Sequence, residues 1–254
     1  MNTTAESRAL ASAATVGRAV LSAGSGLLGL AAFGYVIGWR ENSAYYSALG
    51  AGWFTSALGP AKHLQVSSWI VVSTLFWACY AVYGLARSTA SYRGLRRAAL
   101  ATLLLAMLPY TLDPFFSDLV SPLAQSALLG FGAFLLSVSN GFTVGEVIDR
   151  FRENKDQWNS YTLYLLAFIA VMTFSFAPDR MAGARARGQL DPLTSRFPRV
   201  ILESGEFKDS WRLVEVAEGK ALLILLRPDA PPRFRVVDIT SVQGVSSTSP
   251  AGRA

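Results

Sequence analysis

The pattern of hydrophobic and polar positions contains five long apolar stretches with no charge in their centres. Each is about 20 residues long, the length that an α-helix needs to cross a hydrocarbon core of ~30 Å. Charged residues gather between the stretches, so the pattern predicts a polytopic α-helical membrane protein with about five transmembrane helices. The predicted spans are approximately Ala19–Trp39, Val66–Ala86, Ala98–Phe116, Val120–Phe142 and Trp158–Ala177.

The pattern changes after the fifth stretch. An Arg-, Gly- and Ala-rich segment with little periodicity is interpreted as a linker. From Phe197 apolar and polar positions alternate, as in RVILE, WRLVEVA and RFRVVDI, with a turn at Glu218-Gly219. Four or five such strands predict a small C-terminal all-β, barrel-like domain. The predicted division is a helical transmembrane domain at 1–177, a linker at 178–196, the β domain at 197–245 and a disordered tail at 246–254.

Composition agrees with a membrane protein. Hydrophobic residues make up 52% of the 254 residues and charged residues 16%, whereas soluble domains carry about a quarter charged residues. The net charge of +6 would suit a nucleic-acid partner, but Lys and Arg cluster at the ends of apolar stretches, where they fix topology. The expected partner is therefore the lipid bilayer and not nucleic acid.

The loop after the second stretch gives the strongest orientation signal. It carries Arg87, Arg93, Arg96 and Arg97 without an acid, and such loops are typically cytoplasmic. The acidic DPFFSD loop is expected outside and the basic loop at 150–155 inside. These signals place the N-terminus in the cytoplasm and the C-terminal domain on the periplasmic side of a bacterial inner membrane.

Three arginines disagree with this orientation. Arg180, Arg185 and Arg187 directly follow the fifth stretch and favour the cytoplasm. If the fifth stretch lies in the interface or re-enters the membrane, the C-terminal domain stays inside.

Two further segments have distinctive patterns. Residues 43–61 are apolar and uncharged but contain four Gly or Pro residues. They predict a short helix in the outer membrane interface, with a re-entrant pore loop as the alternative. Its aromatic residues at headgroup level would be Tyr45, Tyr46, Trp53 and Phe54.

Apolar residues also recur at helical spacing from Val144 to Phe151, with Glu146 and Asp149 between them. This pattern predicts an amphipathic helix along the inner membrane surface, with its acids paired to neighbouring arginines.

The C-terminal strands resemble a small Sm-like or SH3-like barrel in VILESGEF, WRLVEVAEGKALLIL and FRVVDITSVQGV. The resemblance implies a small barrel fold, and Sm-like proteins often bind RNA. In that family, RNA is bound by an Asp/Asn turn between the second and third strands and by an Arg-Gly step before the last strand. Here those positions read AEGKAL and VVDITS, so the resemblance does not extend to RNA binding.

Small residues mark two helices. Such stripes let helices approach closely in lipid, either within one chain or between copies in a homo-oligomer. The candidate packing residues are Gly34 and Gly38 in the first span, and Ser126, Gly130, Ala133, Ser137 and Gly141 in the fourth.

Polar groups within the spans are few, with Gln125 and Asn140 the largest. Buried acids and bases mark ion and proton paths, so their scarcity argues against a transporter. Asp113 and Asp118 lie at the outer ends of the third and fourth spans. They are candidates for a cation-attracting pore mouth, or else residues that end a helix.

The sequence offers no catalytic chemistry. One cysteine, Cys79, and one histidine, His63, exclude a disulfide and multi-His metal sites. No nucleophile–base set or phosphate-binding glycine loop is present. We therefore predict a non-enzymatic protein without catalytic, cofactor or metal residues.

Three functions remain open. The first is a helical bundle that anchors, and in an oligomer clusters, a β domain for protein-partner binding or ligand sensing. The second is an oligomeric channel or pore-forming effector gated by that domain. The third is a membrane subunit that serves a soluble enzyme through its basic inner loops.

Overall fold

The computed structural model describes residues 28–116, 119–152, 160–190, 195–202, 211–227 and 230–246. A 3-10 turn, Gly52–Ala57, follows the first helix, and a π-helical turn, Met172–Phe176, joins the last two helices into one continuous helix. The helices are α1 (28–49), α2 (Pro60–Ala86), α3 (Tyr92–Phe116), α4 (Pro122–Arg152), α5 (Ser160–Val171) and α6 (Ala177–Leu190).

Four of these helices are long and apolar enough to cross a membrane, and they correspond to the second to fifth predicted spans. Residues 19–27 of the first predicted span lie outside the described residues, and the rest of it forms the start of α1. At 1.5 Å per residue, every one of the four exceeds a hydrocarbon core of ~30 Å. The candidate spans are Pro60–Ala86, Tyr92–Phe115, Pro122–Phe151 and Ser160–Leu190.

The central helix is α4, which packs against α2, α3, α5 and α6. Leu129 and Leu136 of α4 are 1% exposed and form one core with Tyr110 of α3 and Ile169 of α5. An apolar chain needs such close packing between helices because lipid supplies no hydrophobic force to associate them.

The last helix runs the whole length of α4 in the opposite direction. Thr162, near its start, lies 3.3 Å from the Glu146 carboxylate near the end of α4. Gly188, near its end, lies beside Pro122 at the start of α4. This course brings the C-terminal strands to the end of the bundle where α2 and α4 begin.

Glycines set the closest helix contacts. A Cβ placed on Gly38 of α1 would meet the His63 carbonyl oxygen of α2 at 1.8 Å. A Cβ on Gly141 of α4 would meet the Trp77 Cβ of α2 at 2.5 Å. Both distances are far below any contact that a real Cβ makes, so these helices approach as closely as they do only because glycine occupies both positions.

The segment predicted as a linker, 178–196, is mostly helical. Helix α6 extends to Leu190, and Ala182, Ala184 and Ala186 on it are fully buried. The interpretation as an irregular linker is therefore corrected: the helix that contains the fifth span continues without a break into this segment.

The five C-terminal strands form one antiparallel sheet in the order β4-β3-β2-β1-β5. The β2–β3 turn lies at Glu218 and Gly219, as predicted, with φ values of 50° and 77°. Two successive residues with positive φ characterise the type I′ turn that suits a tight hairpin. The strands are β1 (Arg199–Leu202), β2 (Arg212–Ala217), β3 (Lys220–Arg227), β4 (Ala230–Asp238) and β5 (Val242–Ser246).

The sheet is not a closed barrel, which corrects the barrel-like prediction. Among the described residues β4 and β5 are its two edges, and they do not pair with each other. Pro231 and Pro232 lie at the start of β4, and proline is tolerated at a sheet edge because no neighbouring strand needs its N–H.

One face of the sheet packs directly on the helices. Leu222 and Ile224 of β3, both 0% exposed, lie in a hydrophobic cluster with residues of α1, the 3-10 turn and α6. We call this cluster the shared core; its main members are Tyr45, Tyr46, Leu49, Phe54, Ala182, Ala186, Phe197, Leu222 and Ile224.

The shared core also revises the prediction for residues 43–61. Tyr45, Tyr46 and Phe54 are at most 8% exposed and serve as the platform on which the sheet rests. Of the four aromatic residues predicted to lie at headgroup level, only Trp53 is exposed, at 57%. The interfacial helix is therefore replaced by an extension of α1 and a 3-10 turn that contact the sheet.

Candidate functional site: the junction of helices and sheet

The junction is the end of the bundle where α1 and α6 end and α2 begins, next to the sheet. Arg40 Nη2 of α1 lies 2.8 Å from Asp179 Oδ2 of α6. Arg185 Nη1 of α6 lies 3.2 Å from Glu41 Oε1 of α1. Two ion pairs therefore join the same two helices beside the shared core. Helix α1 supplies the arginine of one pair and the acid of the other.

The second of these pairs is partly buried. The Glu41 side chain is 4% exposed, whereas that of Arg185 is 41% exposed. Burial raises the pKa of the Glu41 carboxyl, and the Arg185 guanidinium opposes part of that rise. Arg185 also lies 4.4 Å from the centre of the Tyr45 ring, a distance typical of cation–π attraction. Arg185 therefore stabilises both a buried carboxylate and an aromatic residue of the shared core.

A third set of contacts joins the bundle to the sheet. Lys62 Nζ of α2 lies 2.8 Å from Glu215 Oε2 of β2, and the Tyr46 hydroxyl donates to the same oxygen at 3.5 Å. Burial, and then the Glu215 charge, raise the pKa of Tyr46, so its hydroxyl stays a donor. Glu215 is the polar contact at the margin of the shared core.

These contacts give the arginines after the fifth span a structural role. Arg180 Nη1 lies 3.4 Å from Asp113 Oδ2 and Arg185 pairs with Glu41, while Arg187 is exposed. Two of the three charges that disagreed with the predicted orientation are therefore paired with acids of α1 and α3. These two arginines therefore have contacts within the bundle, which gives a structural reason for their position after the fifth span.

Asp113, a candidate for the pore mouth, is buried and paired within the bundle. Its side chain is 5% exposed and its carboxylate accepts hydrogen bonds from Gln125 and Arg180. The adjacent crevice of about 530 Å³ between α3 and α4 is lined almost entirely by leucines and other apolar residues. Asp118, the second candidate, lies outside the described residues.

At the opposite end of the bundle, the prediction of a surface amphipathic helix is wrong. Glu146 and Asp149 are 1% and 2% exposed, whereas Ile148 and Phe151 are 47% and 66% exposed. The polar face of α4 therefore points into the bundle and its apolar face points outward. The orientation is the reverse of that on a soluble surface, because lipid favours the apolar side.

Glu146 is the centre of a buried ionic network. Arg96 donates to it through Nε at 3.0 Å and Nη2 at 2.6 Å, and Arg150 through Nε at 2.9 Å. The Tyr92 hydroxyl donates to Asp149 at 2.8 Å. These buried acids belong to the segment predicted as an amphipathic extension, and Arg96 is a bundle residue as well as a topology signal. Arg87, Arg93 and Arg97 are exposed.

The small-residue stripes are mainly covered within one chain. A Cβ placed on Gly34 would meet Val71 and Ser67 of α2 at 3.2 and 3.3 Å. On α4, Ala133 and Ser137 are 2% and 0% exposed, and the Ser137 hydroxyl lies 2.7 Å from that of Ser73. Ser126 is half-buried, and a Cβ on Gly130 would meet no atom within 4 Å. The outer part of this stripe therefore remains open among the described residues.

No protein-family model, curated protein or solved structure matches the chain. Within the described residues no three His, Cys, Asp or Glu side chains are placed to hold a metal ion. At the junction, ionic and aromatic contacts link candidate membrane helices to the sheet. Its geometry is therefore the basis for the function proposed below.

Proposed function

We propose that the protein is a non-enzymatic membrane anchor that holds a β-sheet in a fixed position at one membrane surface, where the sheet binds a protein partner. The observation that carries the proposal is the shared core. Because Leu222 and Ile224 pack on Tyr45, Tyr46 and Ala182, the sheet is held to the helices as part of one core. A fixed sheet is suited to presenting a binding surface or passing a signal to the bundle.

The edge strand β4 is the surface that fits a partner. Main-chain groups at a sheet edge bind an added strand through hydrogen bonds. On β4, Val236 is 38% exposed and Arg233 is also exposed. This combination favours an extended partner segment that carries acidic and apolar residues.

A photo-cross-linking residue at Val236 in the full-length protein is expected to form one discrete adduct in intact cells. The matched control is the same residue at Val216 of the inner strand β2, which is similarly exposed at 42%. Substitution of Arg233 by glutamate should abolish the adduct at 236. Equal adducts from both positions would show that the edge is not a selective docking surface.

The proposed orientation places the N-terminus in the cytoplasm and the sheet in the periplasm of a bacterial inner membrane. A phosphatase fused after the last residue is expected to be active, and a fluorescent protein at the same place dark, because phosphatase folds only outside the cytoplasm. The basic loop with Arg87, Arg93, Arg96 and Arg97 supports this orientation. A fluorescent fusion with inactive phosphatase would place the sheet in the cytoplasm.

An oligomeric channel is the second candidate. The open outer part of the α4 stripe, Ser126 and Gly130, favours a contact with a second copy, because small residues permit close helix approach. Conductance of the purified protein in planar bilayers would support this candidate, and a strictly monomeric state would exclude it.

A further inference from the structure

A cavity of about 500 Å³ lies between the first turn of α4 and the last turns of α6. Two arginines line it, and among the described residues no acidic side chain does. The cavity is therefore suited to an anion. Its polar lining residues are Arg185, Arg196, Gln189, Ser121 and Ser126, and its other lining residues are Pro122, Leu123, Ala184 and Gly188.

The arginines keep donors available for a ligand. Arg196 is exposed, and its guanidinium forms no ion pair within the described part of the chain. Its backbone N–H donates to Gln189 Oε1 at 2.9 Å, which fixes the chain beside the cavity. Arg185 uses one nitrogen for Glu41, and a guanidinium has five N–H donors in a fork that matches phosphate oxygens.

The depth of the cavity indicates the source of the phosphate. It lies where the candidate span Pro122–Phe151 begins and the candidate span Ser160–Leu190 ends. The ends of helices that cross a membrane lie where the hydrocarbon core gives way to lipid headgroups. Leu123, which lines the cavity, is 62% exposed and offers an apolar surface to an acyl chain.

We propose that this cavity is a binding site for a phosphate group, supplied by the headgroup of an anionic phospholipid. Arg185 and Arg196 form charge-assisted hydrogen bonds with the phosphate oxygens, and the start of α4 adds a favourable field for an anion. The site is separate from the sheet edge and does not depend on the proposed partner.

The test measures thermal unfolding of the purified full-length protein in a non-ionic detergent. Added phosphatidylglycerol is expected to raise the unfolding temperature and phosphatidylcholine to leave it unchanged. The variant Arg196→Gln should weaken the apparent affinity for phosphatidylglycerol about tenfold, the effect of losing one charged hydrogen bond. Without lipid it should unfold like the native protein, because Arg196 is exposed.

The matched control is Arg187→Gln, which removes the same charge from an exposed position of α6 outside the cavity. It should retain the native response. Inorganic phosphate is the second ligand tested. If it raises the unfolding temperature of the native protein but not that of Arg196→Gln, the cavity binds phosphate and the source of the phosphate is soluble. Equal responses to both lipids, or equal losses in the two variants, would overturn the proposal.

Discussion

Replacement of Arg96 by methionine is expected to lower the free energy of unfolding by about 3 kcal/mol, the lower end of the range for breaking a buried ion pair. The Glu146 side chain is 1% exposed and that of Arg96 is 17% exposed. Loss of Arg96 removes three hydrogen bonds and leaves a carboxylate in the bundle with Arg150 as its remaining basic partner among the described residues. Methionine keeps most of the apolar contacts of the arginine stem.

Reversible unfolding in mixed micelles, followed by circular dichroism, measures this loss. Arg97→Met is the matched control, since Arg97 is an exposed neighbour, and its effect should stay within about 0.5 kcal/mol. Combining Arg96→Met with Glu146→Met should restore part of the stability, because replacing both partners removes the uncompensated charge. A double variant less stable than the single one would contradict the charge-based explanation.

The parts of the fold that were predictable from sequence are those with local signals. Four uncharged stretches appear as candidate spans, and the Glu218-Gly219 turn joins two strands as predicted. Each signal depends on neighbouring residues, either on uninterrupted hydrophobicity over the length of a span or on two residues that tolerate positive φ.

The Glu146–Arg150 pair confirms the predicted i,i+4 pairing, but the ionic contacts of the junction had no local signal. Arg180 and Asp113 are 67 positions apart and Arg185 and Glu41 are 144 positions apart. In the sequence, those arginines only disagree with the predicted orientation of the C-terminal domain.

Two errors came from applying rules for soluble proteins. In α4, apolar residues at helical spacing predicted a helix along the inner membrane surface, but the polar residues between them face into the bundle. In α6, an Arg-, Gly- and Ala-rich composition with little periodicity predicted a linker, although its four alanines and three arginines favour helix. The alternation of apolar and polar residues within a strand does not indicate which other strand it pairs with. Whether the two edge strands β4 and β5 pair to close a barrel could therefore not be predicted.

The second large effect is expected from Leu222→Ala, which should lower the free energy of unfolding by about 2–5 kcal/mol, as for other buried leucines. Leu222 is 0% exposed and contacts the helices through the shared core. A cavity at this position removes contacts from both the sheet and the bundle. Hydrogen exchange of residues 45–54 should therefore accelerate, although the substitution lies about 170 positions away in the sequence.

Leu223→Ala provides the comparison that isolates the coupling. Leu223 is also 0% exposed, but neighbouring residues of a strand point to opposite faces, and Leu223 is not part of the shared core. Its replacement should destabilise the sheet without accelerating exchange at 45–54. If the two variants affect 45–54 equally, the sheet is not coupled to the helices through Leu222. If only Leu222→Ala accelerates exchange at 45–54, the sheet is coupled to the helices through Leu222. Binding at the β4 edge could then affect α1 and α6, because β3, the strand paired with β4, contributes Leu222 and Ile224 to the shared core.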